Sequence, residues 1–198
     1  MPLYKSISVN TRYQNLIDFS QLTKLRLSIS IVLSSIAGYF LAVEEINYYS
    51  LVLLIIGGFS MVGASNVFNQ IFEKDLDKKM LRTQNRPLPD NRIQTKTAMY
   101  IGVILTLIGV VCLYLINLKT AFFASISTFL DACLYTPLKQ KSPLSVFVGA
   151  FPGAIPFMLV WVAATNKFGI EPGLLFMLQF FWQFPHFWAI AWLCDEDY

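Results

Sequence analysis

The chain has 198 residues, 56% of them hydrophobic and only 14% charged, with a mean hydropathy of +0.56 and a net charge of +3. Soluble domains average about 45–50% apolar and about 25% charged residues, so this composition excludes an ordinary soluble fold and points to a polytopic membrane protein. No basic run resembles a nucleic-acid arm, which argues against a nucleic-acid partner, and no glycine loop of the phosphate-cradling kind is present.

Residues 1–23 form a polar leader with Lys5, Arg12 and Asp18, expected to be partly disordered or to lie at the membrane interface. The first apolar run starts near residue 27, behind this leader and without an evident cleavage site. It is therefore expected to remain as a membrane span rather than to be removed as a signal peptide. Spans are expected at about 24–43, 50–70, 97–116, 119–138, 144–165 and 171–194, since each approaches or exceeds the roughly 18–20 apolar residues that cross a bilayer as a helix. The fold class is thus an all-α membrane helix bundle, with residues 24–198 as its membrane domain. Short links such as Asn117 to Lys119 imply antiparallel neighbours.

Cys112, Cys133 and Cys194 share no metal-ligand spacing and read as small hydrophobes in or beside apolar runs. Thirteen of the fifteen Lys and Arg fall in the leader with the start of the first span, in the 71–96 loop, or in the 139–143 loop; only Lys119 and Lys167 lie on the other side. The positive-inside rule therefore predicts a cytoplasmic N-terminus and cytoplasmic basic loops; the expected location is a bacterial plasma (inner) membrane. Gly149, Pro152, Gly153 and Pro156 make the fifth span kinked or closely packed, tolerable where neighbours re-satisfy the freed backbone groups. Asp131, inside the fourth span one turn before Tyr135, is expected to face the bundle interior or a wet cavity.

The polar stretch 66–92, NVFNQIFEKDLDKKMLRTQNRPLPDNR, stands apart from this oily background. Asn69, Glu73 and Asp77 recur every four residues, so on a helix they form one stripe that turns by only about 40° per step. One reading is a solvated helix with salt bridges such as Asp75 with Lys79. That reading leaves Asn69, still at the end of the apolar span, and the RTQNRP segment with two arginines four apart unexplained. The other reading is chemical. Mg²⁺ prefers oxygen ligands and usually joins one or two carboxylates to substrate phosphates. Glu73 and Asp77 supply carboxylates and Asn69 a neutral oxygen, while Arg82 and Arg86 can grip phosphate oxygens in pairs and stabilise a departing diphosphate. A lipid diphosphate suits a site of this kind opening among membrane helices.

NQIFEKDLDKKMLRTQNRPLP resembles the first aspartate-rich motif, NDxxDxxxD, of the UbiA superfamily of intramembrane prenyltransferases. Three further stretches strengthen the resemblance: LTKLRL, YTPLKQKSPLSVFVGAFPGAIPFMLVWVA and FWQFPHFWAIAWLCDEDY. Together they cover most of residues 20–198 and are most similar to the branch that farnesylates haem. The resemblance implies Mg²⁺-assisted transfer of a farnesyl group from farnesyl diphosphate to a vinyl group of haem b. Under it Asn69, Glu73 and Asp77 are the catalytic and metal-binding residues, and Arg82, Arg86, Lys139 and Lys74 meet diphosphate or haem propionates. His186, Tyr135, Gln183 and Asp131 are candidates for the haem pocket, with aromatic packing the alternative for His186 and Gln183. Partners implied are the bilayer, farnesyl diphosphate, haem, and haem A synthase or terminal-oxidase assembly proteins, with no nucleic acid.

Two positions depart from the motif: Gln70 stands where it has Asp, and Glu73 replaces its middle Asp. The family's nine spans against the six here imply either a fragment of a longer protein or a truncated product, with Asp195, Glu196, Asp197 and Tyr198 opening a second polar loop. Other readings are a prenyltransferase of the same fold acting on an aromatic ring, and a membrane transporter. Polar residues clustered at the cytoplasmic ends of the spans favour an interfacial active site over a transport path.

Overall fold

A computed structural model describes residues 11–193. Six helical stretches in it are long and apolar enough to cross a membrane, and no strand occurs among the described residues. They are α2 (Leu25–Ala42), α3 (Tyr48–Asp77), α4 (Thr95–Ile116), a composite fourth stretch from Leu118 to Leu138, α7 (Ser145–Thr165) and α8 (Ile170–Leu193). Apart from α3, these bounds lie within two residues of the expected spans. The seams are local: Asn47 caps α3 by accepting from Ser50 N at 3.1 Å, and Asn117 caps the next helix by accepting from Thr120 N at 2.8 Å. Asn117 Nδ2 also donates to Val162 O at 3.1 Å, which ties this turn to α7.

The leader contributes α1 (Thr11–Leu22), a defined helix rather than loose chain. Its inner side carries the buried Leu22 and Asp18, and Asp18 forms an ion pair with Arg92 from the loop that follows α3. Arg92 also donates to Asn85 O at 2.6 Å and to Gln21 Oε1 at 3.2 Å. Gln70 completes the anchorage by donating to Leu22 O at 2.7 Å and Gln21 O at 3.1 Å, carbonyls at the end of α1. An Asp here has no donor for those carbonyls when ionised, which gives Gln70 a structural reason to replace the motif's acid.

Helices α3 and α4 pack as one antiparallel pair and α7 and α8 as another, with α2 bridging α3 to α7. The central apolar cluster gathers Tyr39, Leu54, Met61, Leu113, Ile155 and Val160 from these helices. Away from it, large side chains such as Leu107, Leu115, Leu178 and Trp188 are exposed, the surface a bilayer would cover. Close packing in α7 depends on two glycines. A Cβ on Gly149 would lie 2.7 Å from the ring of Tyr135, and one on Gly153 would run into the side chain of Gln183. Pro156 has no N–H to give Pro152 O, four residues earlier, and Ser127 Oγ donates to that carbonyl instead at 3.2 Å.

The fourth stretch departs from a uniform helix. It consists of α5 (Leu118–Phe129), a π-helical turn (Leu130–Tyr135) and the short α6 (Thr136–Leu138). Pro137 removes the N–H that would bond Cys133 O, and Thr136 N–H reaches five residues back to Asp131 O. In an α-helix, positions five apart diverge by about 140°; the widened turn brings Asp131 and Thr136 onto one face.

Candidate active site

The stripe expected from spacing is continuous with the second span. Helix α3 runs unbroken to Asp77, and Asn69, Glu73 and Asp77 are all buried along one side of it. The opposite side at this level is solvated, with Asp75 paired to Lys78 at 4.0 Å rather than to Lys79. The salt-bridge reading therefore holds for Asp75 and fails for the stripe.

Each stripe carboxylate faces a cation from another part of the chain. Asp77 Oδ2 accepts from Arg86 Nη1 at 2.7 Å, and Glu73 pairs with Lys139 from the end of the fourth stretch. Two features of the 78–94 loop aim Arg86 inward. Thr83 Oγ1 donates to Asp77 O at 3.0 Å, and buried Leu88 anchors the turn just after Arg86. Lys139 is positioned by the helical turn that Pro137 begins, with its ammonium 5.5 Å from the centre of the Tyr135 ring.

Asn69 makes a different set of contacts. Its Nδ2 donates to Asp131 Oδ2 at 2.8 Å and its Oδ1 accepts from Thr136 Oγ1 at 2.6 Å. Ser65, one turn earlier on α3, donates to the same Asp131 oxygen. Asp131 thus faces the bundle interior, as its place within an apolar span demands, and it joins the end of the metal stripe.

Lys24 completes the charge pattern. Its backbone is left-handed, at φ 47°, in the tight turn between α1 and α2. Its ammonium is held below the ordinary lysine pKa, first by burial and then by the nearby Arg86; Glu73 opposes that shift. Three carboxylates (Glu73, Asp77, Asp131) and three cations (Lys24, Arg86, Lys139) therefore converge here. Lys24, Ser65 and Thr136 were not among the expected site residues. Ser65 extends the stripe by one further turn and was the most visible of the three.

Other candidates sit elsewhere. Lys74 turns away from the stripe, with Nζ 3.4 Å from Thr95 Oγ1 at the start of α4. Arg82 lies on the exposed part of the loop. Tyr135 packs against Phe187 of α8, ring centres 5.7 Å apart, and so borders both the cation cluster and α8. Gln183 is buried against Gly153, in the α7–α8 seam. His186 is exposed on α8, its ring 6.1 Å from that of Phe187. The acidic run 195–197, Tyr198 and Cys194 lie outside the described residues.

The donor set fits a magnesium site. Glu73 and Asp77 with Asn69 offer hard oxygen ligands, and among the described residues no three His, Cys, Asp or Glu are placed to hold a metal ion by themselves. Two carboxylates with room for substrate phosphates are the usual Mg²⁺ provision, unlike the cage of protein ligands that Ca²⁺ takes.

Known proteins share both fold and sequence. The chain is 59% identical over 194 residues to a protoheme IX farnesyltransferase of Christiangramia forsetii, covering 96% of this chain and 65% of that protein. It is 62% identical over 184 residues to one from Flavobacterium psychrophilum, covering 91% and 61%. The chain thus spans somewhat less than two thirds of these relatives. Among solved structures, a digeranylgeranylglyceryl phosphate synthase aligns with a TM-score of 0.76 at 24% identity, over 84% of this chain and 59% of the other. A UbiA homologue from Archaeoglobus fulgidus bound to GPP and Mg²⁺ aligns with a TM-score of 0.75 at 15% identity, over 91% and 65%. Residues 31–198 match the model of the UbiA prenyltransferase family, and with six apolar helices around a carboxylate stripe the chain belongs to that family of multi-pass membrane proteins.

Proposed function

We propose that the protein transfers the farnesyl group of farnesyl diphosphate to a vinyl group of protohaem IX, making haem O. The observation that carries the diphosphate half is the pairing of Glu73 with Lys139 and of Asp77 with Arg86. A magnesium diphosphate is itself a cation joined to an anion, so it presents a match to each half of these pairs. Asn69, Glu73 and Asp77 would hold Mg²⁺, and Arg86 and Lys139 the phosphate oxygens, with Lys24 adding a third cation and Arg82 a contact from the loop. Bound there, Mg²⁺ supplies charge neutralisation for the diphosphate oxygens.

Ionisation breaks the bond between farnesyl C1 and the bridging oxygen, and the electron pair leaves with the diphosphate. Arg86 and Lys139 stabilise the charge that builds on it, in a site whose buried, low-dielectric surroundings strengthen each contact. The haem vinyl π electrons then form the new carbon–carbon bond, and water adds to the resulting carbocation with loss of a proton. The haem half of the proposal is supported by relatives 59% and 62% identical that carry the farnesyltransferase name. Tyr135, Phe187 and His186, at the junction of the cation cluster with α8, would form the acceptor side.

The active site would open to the cytoplasm from a bacterial plasma membrane; the distribution of Lys and Arg supports that orientation. Haem A synthase or a terminal-oxidase assembly factor would take the product. The test offers the purified full-length protein farnesyl diphosphate and Mg²⁺ with equimolar haem b and an aromatic acid, and identifies products by mass. Farnesylated haem is the expected product; transfer to the aromatic acid alone would overturn the haem assignment.

A further inference from the structure

We infer that Asp131 is a positioning residue that fixes the polarity of the Asn69 amide, so that Asn69 turns its oxygen, not its nitrogen, away from Asp131. This rests on the proposed metal–diphosphate role of the stripe and extends it to a residue on another helix.

The two edges of an Asn amide have nearly the same shape, and only hydrogen-bond partners decide which way it lies. Thr136 cannot decide for Asn69. Its hydroxyl lies 2.6 Å from Asn69 Oδ1 and 2.8 Å from Asp131 O, and its single proton can serve either. With the proton on Asn69, Thr136 donates to an amide oxygen. With the proton on Asp131 O, the same hydroxyl would accept from an amide nitrogen. Both orientations of Asn69 are therefore satisfied on that side.

Asp131 breaks the tie. Its Oδ2 receives the Ser65 hydroxyl as well as Asn69 Nδ2 at 2.8 Å, so this oxygen acts as an acceptor. Turning the amide over would set its oxygen against that acceptor with no proton between them, in a buried place where an unpaired polar contact is costly. The nitrogen is therefore held on Asp131, and Oδ1 retains a second lone pair beyond Thr136. That lone pair is what a hard cation needs, whereas an amide nitrogen pointing the other way would repel it. The π-helical turn makes the arrangement possible by putting Asp131 and Thr136 on one face, five residues apart.

The test measures Mg²⁺-dependent binding of labelled farnesyl diphosphate to the full-length protein in detergent, with Mg²⁺ titrated and without haem. Asp131→Asn substitutes an amide that can pair with either edge of Asn69, and should raise the half-saturating Mg²⁺ concentration about tenfold or more. Binding should recover at high Mg²⁺. The exchanged variant N69D/D131N restores the logic: an Asp at position 69 accepts from an Asn at 131 and still presents an oxygen. It should half-saturate at a lower Mg²⁺ concentration than Asp131→Asn. A role for Asp131 in folding predicts no such recovery, and a role in holding haem predicts an unchanged Mg²⁺ dependence in this haem-free assay. An unchanged Mg²⁺ dependence in Asp131→Asn, a loss that excess Mg²⁺ does not restore, or an exchanged variant no better than the single one would each overturn the inference. Wild-type binding that ignores Mg²⁺ would instead remove the metal reading itself, and this inference with it.

Discussion

Arg86 and Asp77 are nine residues apart and Lys139 and Glu73 sixty-six, yet all four meet at one end of α3. Arg86 was expected near the stripe from its place in the proline-bounded turn, but as a phosphate contact and not as the partner of Asp77. Lys139 entered only through the family resemblance, likewise as a phosphate or propionate contact, since nothing local relates position 139 to position 73. Lys24 illustrates the limit. It was counted for its charge at a membrane boundary, and only the packing of α1 and α2 on α3 turns it toward the carboxylates. Its lowered pKa means that the fold disfavours the charged form, through burial first and Arg86 second. Lys24→Met should therefore leave thermal stability at neutral pH unchanged or higher, while weakening Mg²⁺–farnesyl diphosphate binding about tenfold, the scale of one charge-assisted hydrogen bond. Thermal melts and ligand binding measured side by side check the two signs; a variant that melts lower and binds normally would reverse the assignment.

At the scale of elements, hydropathy located the spans because length and apolarity are what a bilayer selects. It underestimated α3, whose polar last two turns lie past the apolar window, and it missed α1, whose inner contacts are ion pairs and amide donors. The π-helical turn was invisible for a different reason: a periodicity search assumes one helical period, and the irregularity arises where Pro137 withholds an N–H. The glycines of α7 were legible as a packing signal, but their partners were not. Gly149 abuts the rigid ring of Tyr135, and Gly153 abuts the flexible end of Gln183. Gly149→Ala should therefore cost about 1–3 kcal/mol of stability, the usual penalty for overpacking, and disturb Tyr135. Gly153→Ala should cost less, because Gln183 can swing aside. Detergent melts of the two variants check the order, and equal losses would contradict it.

For the whole molecule, the bundle places every carboxylate of the site at one end, the end that carries the basic loops. Charge asymmetry predicts that this end is cytoplasmic. Single cysteines introduced at Gln84 and Lys167, in a background with Cys112, Cys133 and Cys194 changed to Ser, test the orientation. An impermeant maleimide should label position 167 on intact cells and position 84 only after permeabilisation; the reverse pattern would invert the topology.

The central claim is that the stripe on α3 handles a magnesium diphosphate. Its most direct test is farnesyl transfer to haem by the full-length protein carrying Asp77→Asn, which preserves shape and removes the charge. Turnover should fall about 10²–10³-fold, as when one transition-state electrostatic contact is lost, while membrane insertion and the melting profile stay close to wild type. Normal turnover in that variant would contradict the account.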